Sequence, residues 1–95
     1  MEIKVSSNTM SITGNIKSIS DFQEMKNSLE QMKSSSTNIR IEIVDSISVT
    51  SSVIGYLNKL VLKDKTKLSV KVGNKQLMEL FEDLNLVQTL NVTGM

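Results

Sequence analysis

Apolar and polar residues alternate along four stretches of the chain, a period of two that predicts strands with one buried face. The alternation covers residues 2–6 and 9–13, which a turn at Ser7 and Asn8 joins into a hairpin, and then residues 39–44 and 68–72. Short apolar runs at Leu86–Val87 and Leu90–Val92 predict one further strand at an edge of the sheet.

Three segments between these strands have apolar residues at spacings of three and four, which predict amphipathic helices. The pair Ser20 and Gln23 fits a capping box, so the first helix is predicted to begin at Ser20. The third is predicted to follow a turn at Gly73 and a cap at Asn74. The apolar stripes are Phe22, Met25, Leu29 and Met32, then Val53, Ile54, Leu57, Leu60 and Val61, then Leu77, Leu80, Phe81 and Leu84.

The order of these elements is β-β-α-β-α-β-α-β. Strand-helix-strand units imply parallel strands, and the opening hairpin adds an antiparallel pair. Polar residues at every second strand position indicate that helices cover one sheet face better than the other. We therefore predict a single α/β domain over residues 1–95, with two layers and a small, mixed, mainly parallel sheet that starts with an N-terminal hairpin.

Composition narrows the function classes. The net charge is +1, with two Phe, one Tyr and no Trp. The chain therefore has neither the strong positive field nor the aromatic stacking residues that favour nucleic-acid binding. The absence of Cys and His removes zinc coordination and the usual catalytic triads. We expect no metal or cofactor. No signal-like or membrane-spanning run is present, so a cytoplasmic protein without a membrane partner is expected.

The chemistry-bearing stretch is the hydroxyl cluster Thr50, Ser51 and Ser52, placed between a strand and the second helix. The first N–H groups of a helix lack intrahelical partners, and this end of the helix dipole is positive. A serine oxygen of the cluster can therefore cap the helix, and a phosphate added there would be stabilised. A plain cap and a modification site are both compatible with these residues.

Several segments together resemble a STAS domain of the anti-sigma-factor antagonist type, a bacterial transcription regulator. The resemblance rests on residues 39–44, 48–57, 68–72 and 77–86, with Ile12–Ile16 similar to the Gly-containing end of the second strand of the family. It implies that Ser52, or as second choice Ser51, is phosphorylated by an anti-sigma factor or related serine kinase. It also implies a serine phosphatase that removes the phosphate, so that the chain switches partners according to its phosphorylation state.

The chain departs from the family pattern near this serine. Thr50 and Val53 replace the Asp and Gly of the usual D-S-S-G motif, and Lys17 stands where a second acidic residue is usual. The C-terminal helix of the family is not expected within these 95 residues. Fewer carboxylates make the surroundings of Ser52 more favourable to an anion. The exposed helix start predicts partner contacts at Lys17, Thr50, Ser51, Ser52, Val53 and Tyr56.

Two functions therefore remain open. One is a phosphorylation-controlled binding module, and the other is an unphosphorylated scaffold subunit of a larger sensor or transporter complex. A homodimer is left open as well. An enzyme is not expected, because Glu42, Asp45 and Asp64 each have a structural explanation and no pair has the spacing of a catalytic dyad. The loop at Gly73–Lys75 lacks a P-loop pattern.

Overall fold

The computed structural model describes residues 1–95 as five strands and three helices. The strands lie in the spatial order β1-β2-β3-β4-β5, with β1 and β2 antiparallel and the other pairs parallel. The predicted small mixed α/β sheet with its N-terminal hairpin is thereby confirmed. The elements are β1 (Glu2–Ser6), β2 (Thr9–Thr13), α1 (Ile19–Lys33), β3 (Asn38–Ile43), α2 (Ser51–Leu62), β4 (Lys67–Val72), α3 (Lys75–Asp83) and β5 (Val92–Gly94).

The helices cover one face of the sheet. From β2 to β5 the strand order never reverses, and right-handed crossovers then place every helix on the same side. In β2, β3 and β4 the strand positions that face this side are buried, for instance Ile41 and Val70 at 0% exposure. The opposite face is polar and open. One of its rows crosses all five strands through Lys4, Ser11, Glu42, Lys71 and Thr93.

The core lies between the sheet and the helices and contains 20 buried apolar residues. Met25, Leu29 and Met32 come from α1, Leu57 and Leu60 from α2, and Leu77 and Phe81 from α3. Most of the predicted apolar stripes are therefore buried. Leu84 is an exception, because α3 ends at Asp83 and leaves this side chain 45% exposed.

The predicted start of α1 at Ser20 is wrong. The N-cap is Ser18, whose hydroxyl oxygen accepts a hydrogen bond from the Asp21 N–H at 3.0 Å. The Asp21 carboxylate accepts in return from the N–H of Ser18 at 3.2 Å and from that of Lys17 at 3.0 Å. A charged carboxylate that satisfies two free N–H groups is a stronger cap partner than the amide of Gln23.

The last strand also begins later than predicted. β5 covers Val92–Gly94, and Leu90 is fully buried in the preceding turn. Asn91 has a φ of 52°, a left-handed conformation that asparagine tolerates better than most residues and that separates the turn from the strand. The predicted edge position is confirmed, because β5 pairs only with β4.

Candidate functional site

The candidate site lies where β2 and β3 end and α1 and α2 begin. Because β2 and β3 are parallel, their carboxyl ends meet at the same edge of the sheet. The loops at 14–18 and 44–50 therefore lie side by side and lead into two helix N-termini. We refer to these two loops and the first turns of α1 and α2 as the carboxyl-edge surface.

Three long-range hydrogen bonds join the two loops. The Gly14 N–H donates to the Asp45 carboxylate at 2.7 Å, and the Ile47 N–H donates to the Asn15 side-chain oxygen at 3.1 Å. Between them, the buried Ser46 hydroxyl accepts from the Ile16 N–H at 3.1 Å. The surface is thus built on loops whose backbone groups are satisfied by each other's side chains, which restricts their relative movement.

Sequence reasoning missed Ser46, which is fully buried and also donates to the Ser48 carbonyl at 2.6 Å. Its partner Ile16 lies 30 residues away, so no local pattern reveals the contact. The one available signal was its position directly after a buried strand, where short polar side chains often satisfy turn backbone.

The hydroxyl cluster occupies the predicted helix start, but its cap is Thr50 and not a serine. The Thr50 hydroxyl oxygen accepts a hydrogen bond from the Val53 N–H at 3.3 Å. Ser51 and Ser52 form the first two residues of α2 and are exposed. Their hydroxyl groups make no hydrogen bond within the chain, and the first turn of α2 contains no acidic residue.

A concavity of about 310 Å³ brings three of the predicted site residues together, Lys17, Thr50 and Ser52. The remaining lining residues come from the first turns of α1 and are Ser18, Ile19, Phe22 and Gln23. Lys17 is the only charged side chain in this lining and would attract an anion beside Ser52. The Asp21 carboxylate, which bonds to the N–H groups of Lys17 and Ser18 at the start of α1, partly offsets this attraction.

Val53 and Tyr56 were predicted as exposed partner contacts, and this prediction is wrong. Val53 is 1% exposed and belongs to the core, because it lies on the helix side that faces the sheet. Tyr56 is 7% exposed and points to α1, where its hydroxyl donates to the Glu30 carboxylate. Both side chains are therefore occupied by contacts within the folded domain.

Tyr56 joins the two helices through several contacts. Its ring meets that of Phe22 edge to face, with a centroid distance of 6.1 Å. The ammonium groups of Lys26 and Lys59 lie 5.9 and 5.8 Å from its centroid. Burial and the bond to Glu30 raise the pKa of the Tyr56 hydroxyl well above its usual range. This side chain therefore stays neutral and holds α1 against α2.

The charged groups around Tyr56 form a network on the outer surface of the two helices. The Lys33 ammonium lies 2.7 Å from Asp64 and 3.3 Å from Glu30, and Lys59 lies 3.6 Å from Asp64. The bond from Lys33 lowers the pKa of Asp64, and the bond from Tyr56 lowers that of Glu30. Asp64 thus has a role in joining the helices.

The carboxyl-edge surface also carries two exposed apolar side chains. Ile19 opens α1 and is 81% exposed, and Ile47 lies in the β3-α2 loop and is 51% exposed. Ile19 lines the same concavity as Ser52. These two side chains are exposed apolar surface beside a hydrogen-bonded loop pair, and a docking partner can cover them.

Apart from Asp45, the remaining sequence candidates lie outside the carboxyl-edge surface. Asn74 caps α3 through the Leu77 N–H at 3.1 Å, as predicted. A Cβ at Gly73 would collide with the Val44 carbonyl, so this turn needs glycine to pass close to the end of β3. Glu42 lies on the open sheet face, 3.9 Å from Arg40. The candidate acids Glu42, Asp45 and Asp64 therefore have different partners.

No protein-family model matches this sequence, and neither the curated proteins nor the solved structures include a significant match. The resemblance to a STAS domain thus rests on the residues themselves. None of the three helices combines the length and the apolar character needed to cross a membrane.

Proposed function

We propose that this chain is a regulatory protein-binding module of the anti-sigma-factor antagonist kind, controlled by phosphorylation of Ser52 by a partner kinase. The observation that carries the proposal is the placement of Ser52. It is exposed in the first turn of a helix and lines a concavity whose only charged residue is Lys17. Ser51 is exposed too but does not line this concavity.

A phosphate on Ser52 would be well accommodated. It adds about −1.5 to −2 of charge and three strong acceptors next to the positive end of the α2 dipole. The first turn of α2 contains no carboxylate that would oppose it, and Lys17 supplies a counter-charge that the Asp21 carboxylate at the start of α1 partly offsets. The same charge would lie beside the exposed Ile19, so a partner that covers this apolar side chain would lose affinity through desolvation of the phosphate.

Intact-mass measurement of the protein purified from its native cells tests the proposal. We expect a species heavier by one phosphate, which Ser52→Ala removes. Ser51→Ala is the matched control, because it deletes the neighbouring exposed hydroxyl, and it should retain the heavier species. Absence of the phosphate under all growth conditions, or its loss only in Ser51→Ala, would contradict the assignment to Ser52.

A second function is favoured by a different observation. Ile19 at the start of α1 and Ile47 on the β3-α2 loop are exposed beside two loops that hydrogen bonds already join, so the carboxyl-edge surface could dock permanently without any modification. This arrangement suits an unphosphorylated scaffold subunit of a larger sensor or transporter complex. In that case the serine cluster would serve only as the helix start.

The size of the native complex separates the two functions. In both, Ile47→Glu should release the chain from its complex. The control is Leu62→Glu, a similarly exposed apolar residue at the far end of α2, which should not. Ser52→Asp distinguishes them, because it should release the chain from a phosphorylation-controlled partner and leave a scaffold assembly intact.

A further inference from the structure

β1 forms one edge of the sheet and pairs only with β2, so one side of its backbone has no strand partner. Such an edge is a template for pairing with another chain. The opposite edge, β5, has three residues, whereas β1 has five. The longer edge is therefore the one that offers a ladder of hydrogen bonds.

The hydrogen bonds of β2 show which residues face this free edge. The carbonyls of Asn8 and Ile12 accept from Arg40 and Val44 of the neighbouring segment, so even-numbered positions of β2 direct their polar groups to β3. Odd-numbered positions then direct theirs to β1, since these groups alternate along a strand.

The odd positions of β2 pair with Glu2, Lys4 and Ser6. The N–H and C=O groups of Ile3 and Val5 therefore point to the free edge. Their side chains lie on the helix face of the sheet, opposite Ile12 and Met10, and Val5 is 49% exposed.

The charges of β1 lie on the other face. Glu2 and Lys4 pair with Thr13 and Ser11 on the open side of the sheet, and both are exposed. Neither takes part in an ion pair within the chain. The strand thus carries one negative and one positive side chain, placed symmetrically on either side of Ile3.

We propose that β1 pairs antiparallel with β1 of a second copy of this chain, about a two-fold axis at Ile3. Ile3 then faces Ile3 of the second copy, and Glu2 faces Lys4 of the second copy on both sides of the axis. The two five-stranded sheets become one continuous sheet. An isologous contact requires a patch that is complementary to itself, and this order of charges provides it.

Charge selects this register over its neighbours. Antiparallel pairings that keep the apolar side chains on one face differ by steps of two residues. A shift in one direction places Lys4 opposite Lys4, and a shift in the other places Glu2 opposite Glu2. Both put like charges directly opposite each other at the axis, which is destabilising.

The geometry also places the charges where they interact most strongly. Glu2 and Lys4 direct their backbone groups to their own β2, so they would form non-hydrogen-bonded pairs across the new contact. The Cα atoms of such pairs lie only about 4.5 Å apart, closer than in hydrogen-bonded pairs. A lysine in an edge strand normally discourages pairing, and here Glu2 of the second copy would neutralise it.

Sedimentation over micromolar to millimolar concentrations, on protein without an N-terminal extension, tests the proposal. We expect the wild type to reach a dimer. Glu2→Lys and Lys4→Glu each turn two attractive cross-strand pairs into repulsive ones, which should raise Kd by at least about tenfold. The double variant Glu2→Lys/Lys4→Glu restores both pairs and should recover the dimer.

Mixing supplies a second test. The Glu2→Lys chain and the Lys4→Glu chain should each be monomeric alone and form a heterodimer together, since every cross-strand pair is then opposite in charge. Lys71→Glu is the matched control, because it makes the same change of charge on the same sheet face but away from the edge. It should leave Kd unchanged.

A wild type that stays monomeric at every concentration would overturn the proposal. So would a dimer whose Kd is unaffected by the single charge reversals, or one that the double variant does not recover. These substitutions lie outside the carboxyl-edge surface, so either result is independent of phosphorylation at Ser52.

Discussion

Ser52 and Val53 are neighbours in the first turn of α2, yet they belong to different regions of the molecule. Ser52 lies on the carboxyl-edge surface and is exposed, whereas Val53 is 1% exposed beneath it. The same division separates Ser51 from Tyr56, which is bound to Glu30 of α1. Closeness in sequence to a candidate functional residue therefore does not predict exposure. The side of the helix on which a residue lies determines whether it is exposed or buried.

The two regions also satisfy their polar groups differently. On the carboxyl-edge surface, side chains such as Ser46 accept hydrogen bonds from backbone N–H groups, and hydroxyls at the helix start remain free for other contacts. In the contact between α1 and α2, charged side chains satisfy one another through Lys33 and Asp64. The first arrangement leaves groups available to a partner, and the second uses them to hold two helices together.

The largest expected effect is a change in stability that distinguishes the buried side of α2 from its exposed side. Val53→Glu places a carboxylate in the core without a partner, and we expect a loss of about 3 kcal/mol or more in the free energy of unfolding. That is a large part of the roughly 5–15 kcal/mol typical of a domain. Ser52→Asp is the matched control one residue earlier. It should change stability little or raise it by about 0.3–1 kcal/mol, because it adds a negative charge at the helix N-terminus.

Urea denaturation of both variants would measure the difference. A Val53→Glu protein with wild-type stability would show that this side chain can turn to solvent. The burial of Val53 and the boundary of the carboxyl-edge surface would then be incorrect.

Much of the fold could be predicted from the sequence because the periods of its apolar residues were clear. Alternation gave the hairpin and strands β3 and β4, and the helical stripes located all three helices. The stripe of α2 already included Val53, so its burial was accessible from the pattern. It was missed because the resemblance to a family motif favoured the whole segment around Ser52 as a contact region.

Other features depended on tertiary structure. Both Ser18 and Ser20 are followed three residues later by a suitable cap partner, and only the hydrogen bonds of Asp21 distinguish them. The buried Ser46 depends on a loop 30 residues away. The concavity beside Ser52 required the placement of Lys17, which follows from the parallel pairing of β2 with β3.

A smaller effect on stability distinguishes the residues of the hydroxyl cluster from one another. Thr50 is the cap of α2, so Thr50→Ala should lower the free energy of unfolding by about 1 kcal/mol. Ser52→Ala should stay within about 0.5 kcal/mol of the wild type, because its hydroxyl makes no bond within the chain. Thermal melts at equal protein concentration compare the two. An equal loss in both variants would mean that Ser52 shares the cap, which would weaken its assignment as a free acceptor of phosphate.

The smallest expected effect concerns pH and the contact between α1 and α2. The pKa values of Glu30 and Asp64 are lowered from 4.5 and 3.8 by their bonds to Tyr56 and Lys33. Each carboxylate therefore contributes stability that is present above its ordinary pKa and is lost as pH falls through the folded value. The pKa values of Lys33 and Tyr56 are raised from 10.5 and 10.0. Their contribution is complete below those values and is lost as pH rises through the folded ones.

The melting temperature should therefore be nearly constant between pH 4.5 and pH 10.0, the ordinary values of Glu30 and Tyr56, and fall on both sides. Asp64→Asn should make the fall of the melting temperature at acid pH shallower, since it removes one carboxylate whose pKa the fold lowers. Glu79→Gln, an exposed carboxylate of α3 outside the network, should leave that fall unchanged. High salt should reduce the difference between the two variants, because these exposed pairs are screened. A fall at acid pH that Asp64→Asn does not alter would show that the ion pair between Lys33 and Asp64 contributes nothing measurable to stability.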